Sequence, residues 1–463
     1  MATSQTKLSW DVLLDLGPPE SGPLHERLKN TLRQAVTRGQ LREGTMLPPS
    51  RQLALDLGCS RATVTEAYGQ LVAEGYLEAR TGSGTRVRWT RNDSAPPASE
   101  RPASAPLPRF DLAPGLPDLR AFPRAAWARA QATQLTSITD AELGYPAPGG
   151  HLRLRALLAD HLNRARGANT RPDTIVVCPS VTEAVRRICG HLRRLGIDEL
   201  GFEEPGWSRL RAVARSAGVT PVPIPVDGDG LRVDLLARLP RLRAVVVTPA
   251  HQYPSGSVLA PHRRADLLAW ARERDGVIIE DDYDAEFRYD RRPVGTLQGM
   301  DDSRVLLLKS LSKVLSPALG LGWMAVPPLW AAELRASTPS TPDQLTFASF
   351  LSSGAYDRHL RASRLRYRRR RDLVVTHLTE RLPHLTIDGV AAGLHLVLRL
   401  PPGVDAGAVV AEAAHDEVAV TNLAGSYEQP PRSPGGLILG YANIPDVSVP
   451  EAVARLAAAY ARA

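Results

Sequence analysis

The chain is short of lysine. Lys and Arg together number 57, yet lysine stands only at Lys7, Lys29, Lys309 and Lys313, so almost all the positive charge is written as arginine. Cysteine is scarce as well. Cys59, Cys178 and Cys189 match no zinc-ligand spacing and leave an odd one over, which argues against a disulfide framework or a cysteine metal cluster and fits a reducing cytoplasm. No apolar run approaches the length of a bilayer-spanning helix. The start, MATSQTKLSWDVLLDL, has acids among its leucines and no small-residue cleavage site, so the chain reads as soluble and unprocessed. Nor is charge of one sign in large excess: 57 basic against 49 acidic residues gives +8, which suits a nucleic-acid partner without requiring one.

What is present divides the chain. Residues 91–109, RNDSAPPASERPASAPLPR, are rich in Pro, Ala and Ser with almost nothing to bury, the composition of an extended spacer. They separate a small module, residues 1–90, from a large one, residues 110–463. In the small module Leu24, Leu28, Leu32 and Val36 share one helical stripe. Ser50 is expected to cap a second helix ended by Gly58, and Ser60 a third ended by Gly75. YLEAR and TRVRW then read as two strands joined by a glycine turn. Beyond the spacer, short runs such as TIVVC, AVVVTP, GVIIED and RVLLLKS alternate with amphipathic stretches, which predicts an α/β fold whose mainly parallel sheet carries helices on both faces.

Helix, tight turn, helix and hairpin in that order form a unit that can lay its third helix in the DNA major groove. The side chains then offered to base edges and phosphates are Arg61, Thr63 and Thr65 after the cap Ser60, with Arg51 beside them and Arg80 and Arg86 on the hairpin. The stretches LPPSR, LGCSRATV and GSGTRV together closely resemble the winged helix-turn-helix of the GntR family of bacterial regulators over residues 22–88.

In the large module Lys313 follows the strand RVLLLKS, at the edge where α/β sheets bind ligands, and could form a Schiff base with a carbonyl cofactor. A lone loop lysine is usually solvated. Here, however, the strand GVIIE runs into DDYDAEF at the same edge. A pyridoxal 5'-phosphate (PLP) ring needs a carboxylate at its pyridinium nitrogen and a hydrogen bond at its phenolic oxygen, which Asp281 and Tyr283 can supply. TIVVCPSVTEAV offers a helix start near Val181, with Ser180 or Thr182, for a phosphate. Trp207 could stack on a ring.

The stretches GYPAPGGHLRLRALLADHLNRARG, FEEPGW, TPAHQYPSG, IIEDDYDAEFRYDRRP and SLSKVLSPALGLGW resemble the fold-type I aminotransferases, and most closely the large domain of MocR-type regulators, in which a GntR winged helix is fused to an aminotransferase-like domain. The resemblance implies that Lys313 carries PLP, Asp281 meets the pyridine nitrogen and Tyr283 the phenolic oxygen. Ser310, Val181 and Thr182 approach the phosphate, Trp207 stacks, and Tyr145 reaches the site across a homodimer interface with the winged heads exchanged between subunits. Arg209 matches a position that holds an effector carboxylate in a relative.

The sequence departs from that family at two places. Gly320 stands where an arginine usually pairs with the phosphate, a loss of roughly 1.5 to 3 kcal/mol, or about ten- to a hundred-fold in affinity, unless another group replaces it. Lys309, where glycine is common, is expected to compensate in part. GGLILGYAN, residues 435–443, lacks the arginine with which aminotransferases hold the substrate carboxylate, the nearest being Arg432. The expectation is therefore a cytoplasmic, homodimeric transcription factor that binds double-stranded operator DNA and senses PLP, or an amine or amino acid, rather than an aminotransferase with an accessory DNA-binding head. An arginine stripe, Arg361, Arg364, Arg368 and Arg371, reads either as a solvated face or as a second DNA-backbone contact.

Overall fold

A computed structural model describes Leu16, Pro18 and residues 22–80, 84–89, 108–289, 294–429 and 435–463. It divides into two compact units, Met1–Pro106 and Leu107–Ala463. The spacer lies almost wholly outside the described residues, as does the hairpin turn at 81–83.

In the first unit three helices, α1 (Leu24–Thr37), α2 (Ser50–Asp56) and α3 (Arg61–Ala73), pack around Leu28, Leu32, Leu53, Val64 and Leu71, all fully buried. The third helix starts where expected, because the Ser60 side chain accepts a hydrogen bond from the Thr63 N–H at 3.1 Å. The second does not. Ser50 is already helical and Pro49 takes the cap position with no side-chain hydrogen bond, since proline's fixed φ suits a helix entrance. The hairpin pairs Leu77–Arg80 (β2) with Gly84–Val87 (β3), and a short strand that the pattern did not reveal, Met46–Leu47 (β1), adds to β3.

The second unit opens with β4 (Phe110–Asp111) and is built on an eight-stranded sheet. Its strands are β5 (Ile175–Cys178), β6 (Glu199–Glu204), β7 (Thr220–Asp227), β8 (Gly230–Leu231), β9 (Ala244–Val247), β10 (Val277–Asp281), β11 (Val305–Ser310) and β12 (Gly322–Ala325). Their order is β5-β12-β11-β10-β9-β6-β7-β8, with β7, β6, β9, β10 and β11 mutually parallel and β12 antiparallel to both its neighbours. Successive residues feed opposite faces. Val176, Leu306 and Leu308 join one buried cluster, Val177 and Leu307 another. That two-sided burial explains the unbroken apolar runs in the sequence. A smaller antiparallel sheet, β13 (Thr386–Asp388), β14 (His395–Arg399), β16 (Thr421–Asn422) and β17 (Gly436–Gly440), lies toward the C-terminus, and β15 (Val418–Ala419) pairs with β4.

The end of β17 fixes the segment after β4. Gly440 donates its N–H to the Leu112 carbonyl at 2.7 Å, and a Cβ on Gly440 would strike the backbone of Ala113 and Pro114. Gly440→Ala is therefore expected to cost about 1–3 kcal/mol by overpacking, read as a lowered unfolding midpoint. Unchanged stability would show that this segment yields freely.

Candidate functional site

Parallel strands end together, so whatever side chains follow their last residues collect at one edge. Asp281 closes β10 and Ser310 closes the adjacent β11, with Asp281 in register with Leu308. The chain then makes one tight turn, Leu311–Lys313, that delivers Lys313. On the far side of β12, strand β5 runs through Pro179 and Ser180 into helix α4 (Val181–Arg194), whose N-cap is the Ser180 side chain, accepting from Glu183 N–H at 3.2 Å. Trp207 caps the next helix, α5 (Ser208–Ser216). These ends surround a cleft of about 520 Å³ that Lys313, Asp281, Tyr283, Ser310, Val181, Thr182, Trp207 and Arg209 all line. The eight come from four separate segments of the sequence, each of which carries an expected site residue.

Tyr145 does not line this cleft. It is fully exposed, at 103%. Conversely, Glu203, Thr248, Ser312 and His395 line the cleft without having been singled out. Their signal was weak, because each is an ordinary polar residue at a strand start, strand end or turn. Tyr253 lines it too.

Burial governs the electrostatics. Asp281 is 6% exposed, and its Oδ1 has no hydrogen-bond partner among the described residues. Desolvation, helped by repulsion from Asp282, raises its pKa to about 7 against the partial opposition of Lys313. Burial also lowers the pKa of Lys313, whose Nζ donates to the Gly115 carbonyl at 2.7 Å and lies 5.9 Å from the centre of the Trp207 ring. The shift favours the neutral amine, which is the nucleophilic form. Glu203 is likewise raised to about 7 by burial, although Thr248 and Gln252 hydrogen-bond to it.

Lys309 corrects the expectation attached to it. It is 2% exposed and does not line the cleft. Its ammonium meets Asp282 at 3.0 Å and also Glu286, while Arg166 grips Asp282 through two 2.9 Å hydrogen bonds. The reason is strand alternation: Ser310 turns to the cleft, so Lys309 must turn away from it. Burial alone would raise Asp282, but Arg166 and Lys309 outweigh it and hold the carboxyl well below its usual range. The lysine therefore neutralises buried acids and supplies nothing to a phosphate.

Arg209 is exposed at the cleft, and among the described residues no carboxylate pairs with it. Gly320 closes a turn at φ +53°, and a Cβ there would meet nothing within 4 Å. Lys313 and Arg209 are thus the cations lining the cleft among the described residues. Arg432 lies outside them.

In the first unit Arg51 and Arg61 are exposed, Thr65 donates its hydroxyl to the Arg61 carbonyl at 2.9 Å, and Ser60 and Thr63 share the cap. Arg80 and Arg86 both bind Glu78, at 2.8 and 2.7 Å, which aligns them on the hairpin and lowers the Glu78 pKa through the hydrogen bonds from Arg86 and Arg80. Of the arginine stripe, on helix α6 (Ala355–Arg381), Arg364 donates to the Glu286 carbonyl and Arg371 meets Asp372. Arg361 and Arg368 are exposed without a carboxylate partner among the described residues.

A winged helix-turn-helix head and a large unit of aminotransferase architecture define a two-domain regulator, and comparison with known proteins agrees. Residues 24–87 match the bacterial regulatory proteins of the gntR family, and residues 110–456 match aminotransferase class I and II. A probable rhizopine catabolism regulatory protein, MocR, of Rhizobium meliloti is 34% identical over 95% of this chain and 94% of its own. The HTH-type pyridoxine biosynthesis transcriptional regulator PdxR of Corynebacterium glutamicum is 35% identical over 84% of this chain and 86% of its own. Among solved structures, a kynurenine aminotransferase of Pyrococcus horikoshii matches with a TM-score of 0.69 at 23% identity, covering 76% of this chain and 91% of that one. The chain belongs to the MocR-type transcriptional regulators, in which a GntR-type head is joined to an aminotransferase-like domain.

The raised pKa of Asp281 has a measurable consequence. Below about pH 4 its carboxyl is neutral folded and unfolded; between 3.8 and about 7 only the unfolded chain ionises, and stability falls as pH rises; above about 7 the penalty is complete. At most it amounts to about 4 kcal/mol. Asp281→Asn is accordingly expected to raise the unfolding midpoint of the cofactor-free protein more at pH 8 than at pH 5. Equal effects at both pH values would mean that Asp281 ionises normally.

Proposed function

We propose that the large domain binds PLP in this cleft and that its occupancy sets how the winged head engages operator DNA. The carrying observation is the buried, unpartnered Oδ1 of Asp281 in the same cleft as Lys313, a carboxylate that a protonated ring nitrogen would satisfy. Lys313 would hold the cofactor covalently, Tyr283 would face its phenolic oxygen and Trp207 its ring. The phosphate would sit at the start of α4, where the Val181 and Thr182 amides have no intrahelical acceptor, with Ser180, Thr182, Ser310 and Ser312 as further donors. When bound, PLP supplies a reactive aldehyde and an electron-accepting ring; every other contribution is the chain's own.

Regulation rather than turnover is favoured because Arg209 is the single arginine lining the cleft among the described residues. Arg209 at its mouth suits the carboxylate of a small amine effector. PLP itself is the other candidate, favoured by the likeness to a pyridoxine biosynthesis regulator. Either ligand acts only through different affinity for two arrangements of the protein. A cytoplasmic homodimer with exchanged heads completes the proposal, supported by the exposure of Tyr145 together with Leu143 at 58% and Leu152 at 61%.

Titration of the purified protein with PLP should give a saturable visible band that is absent in Lys313→Ala; a band persisting in that variant, or none in the wild type, would overturn the assignment. On a duplex selected for binding from a random library, Arg61→Ala should lose about 1–3 kcal/mol, roughly ten- to a hundred-fold. An unchanged binding curve would remove the start of α3 from the DNA interface.

A further inference from the structure

Behind Tyr283 lies a pair of buried side chains to which nothing above gives a role. His251, from the loop after β9, is 4% exposed; Asp284, from the turn after β10, is 1% exposed. His251 Nδ1 lies 2.9 Å from Asp284 Oδ2 and 3.1 Å from the Tyr283 hydroxyl. The start of β14 closes over the pair. A Cβ on Gly393 would strike both the His251 ring and the Asp284 carboxylate, so only glycine lets the strand come this near. His395 lies beyond, its ring tilted to that of His251 with centres 5.2 Å apart and its Nε2 donating to the Pro254 carbonyl at 3.1 Å. Although His251, Asp284 and His395 bring ligand-type atoms within 4.8 Å of one another, these contacts already engage each of them.

The protons on these atoms are constrained by what each can do. An ionised carboxylate only accepts, so the hydrogen between His251 and Asp284 belongs on Nδ1, which fixes the imidazole tautomer. The Tyr283 hydroxyl meets the same Nδ1, and burial, followed by the nearby Asp284 charge, keeps its proton on well above the ordinary phenol range. Asp284 is thus held by His251, and the Tyr283 hydroxyl, on the same imidazole nitrogen, is the next donor at hand for the carboxylate. If the phenolic hydrogen turns toward an acceptor in the cleft, the carboxylate still keeps the N–H of His251 and is not left buried and unpaired, the costly outcome. Without His251, Tyr283 would be the carboxylate's remaining side-chain donor of this group and would stay locked onto it.

We propose that His251 is a positioning residue: by holding Asp284 through Nδ1–H it releases the Tyr283 hydroxyl to donate to an acceptor oxygen in the cleft, the phenolic oxygen of PLP. This rests on the reading of the cleft as a PLP site, and the tests separate the two ideas.

Three variants and one spectrum decide it. His251→Phe keeps a ring but removes the donor, and is expected to weaken PLP binding about ten-fold and to displace the visible absorption maximum. His251→Asn, which returns an N–H near the same place, should restore both. The double variant His251→Phe/Asp284→Asn removes the charge that traps the hydroxyl and should bind PLP better than His251→Phe alone. A merely structural role would leave the double variant no better than the single one and the Asn variant unrescued, with the absorption maximum of the bound fraction unmoved; any of these overturns the proposal. The second readout needs no PLP. In the cofactor-free protein labelled with ¹⁵N-histidine, the signal that disappears in His251→Asn should be that of an imidazole protonated at Nδ1. Protonation at Nε2 alone would sink the positioning role, whether or not PLP binds.

Discussion

A carboxylate taken out of water, with one oxygen that has no hydrogen-bond partner among the described residues, is the constraint around which the large domain is arranged. Asp281 and Asp282 are neighbours, both almost fully buried, with opposite fates. Asp282 turns to one side of the sheet, where Arg166 and Lys309 bind it and hold it ionised. Asp281 turns to the cleft and keeps an unpartnered oxygen. The same alternation separates Lys309 from Ser310 on the next strand. One side of the sheet edge is thereby a closed ionic cluster, whose desolvation is offset by mutual attraction, while the other is left electrically incomplete. That asymmetry makes the cleft a site and the cluster a brace. It also explains why Lys309 and Lys313, only a turn apart, do unrelated things.

The cleft was legible where chemistry is tied to strand ends. Asp281, Ser310 and Lys313 are close because β10 and β11 are parallel neighbours, and their apolar runs identify such strands in the sequence. What escaped was whatever depends on which face a residue takes or which distant segment returns to the site. Lys309 was misread because proximity in sequence to Lys313 was allowed to stand for proximity in space. His395, 144 positions after His251 in the numbering, meets it only because the small sheet folds back over the large one, and no local pattern announces that. In the head, Ser60 was readable as a cap because serine before a helical stripe has few other uses. At Ser50 the preceding proline already set the entrance, and the serine was superfluous as a cap. The fold class was legible almost throughout, since it rests on long periodic patterns and motif stretches rather than on single side chains.

Gly320 bears on the choice between sensor and enzyme. Its φ of +53° lies in the left-handed region, where a residue with a Cβ is held at a cost of roughly 1–2 kcal/mol. Glycine relaxes that turn, and the arginine that the family resemblance leads one to expect there is absent. If PLP binds as proposed, its phosphate would meet amides and hydroxyls, donors that lack a formal charge and bind a dianion less tightly than a guanidinium does. An enzyme gains nothing from a cofactor that leaves. A sensor of that cofactor is informative only when occupancy changes over the range of free concentrations it meets, because a site that is always full reports nothing. The same substitution that would handicap an aminotransferase therefore suits a regulator. Retention of Lys313, Asp281 and Tyr283 beside a neutral phosphate cradle is the combination expected when reversible binding, rather than turnover, is what the cleft performs.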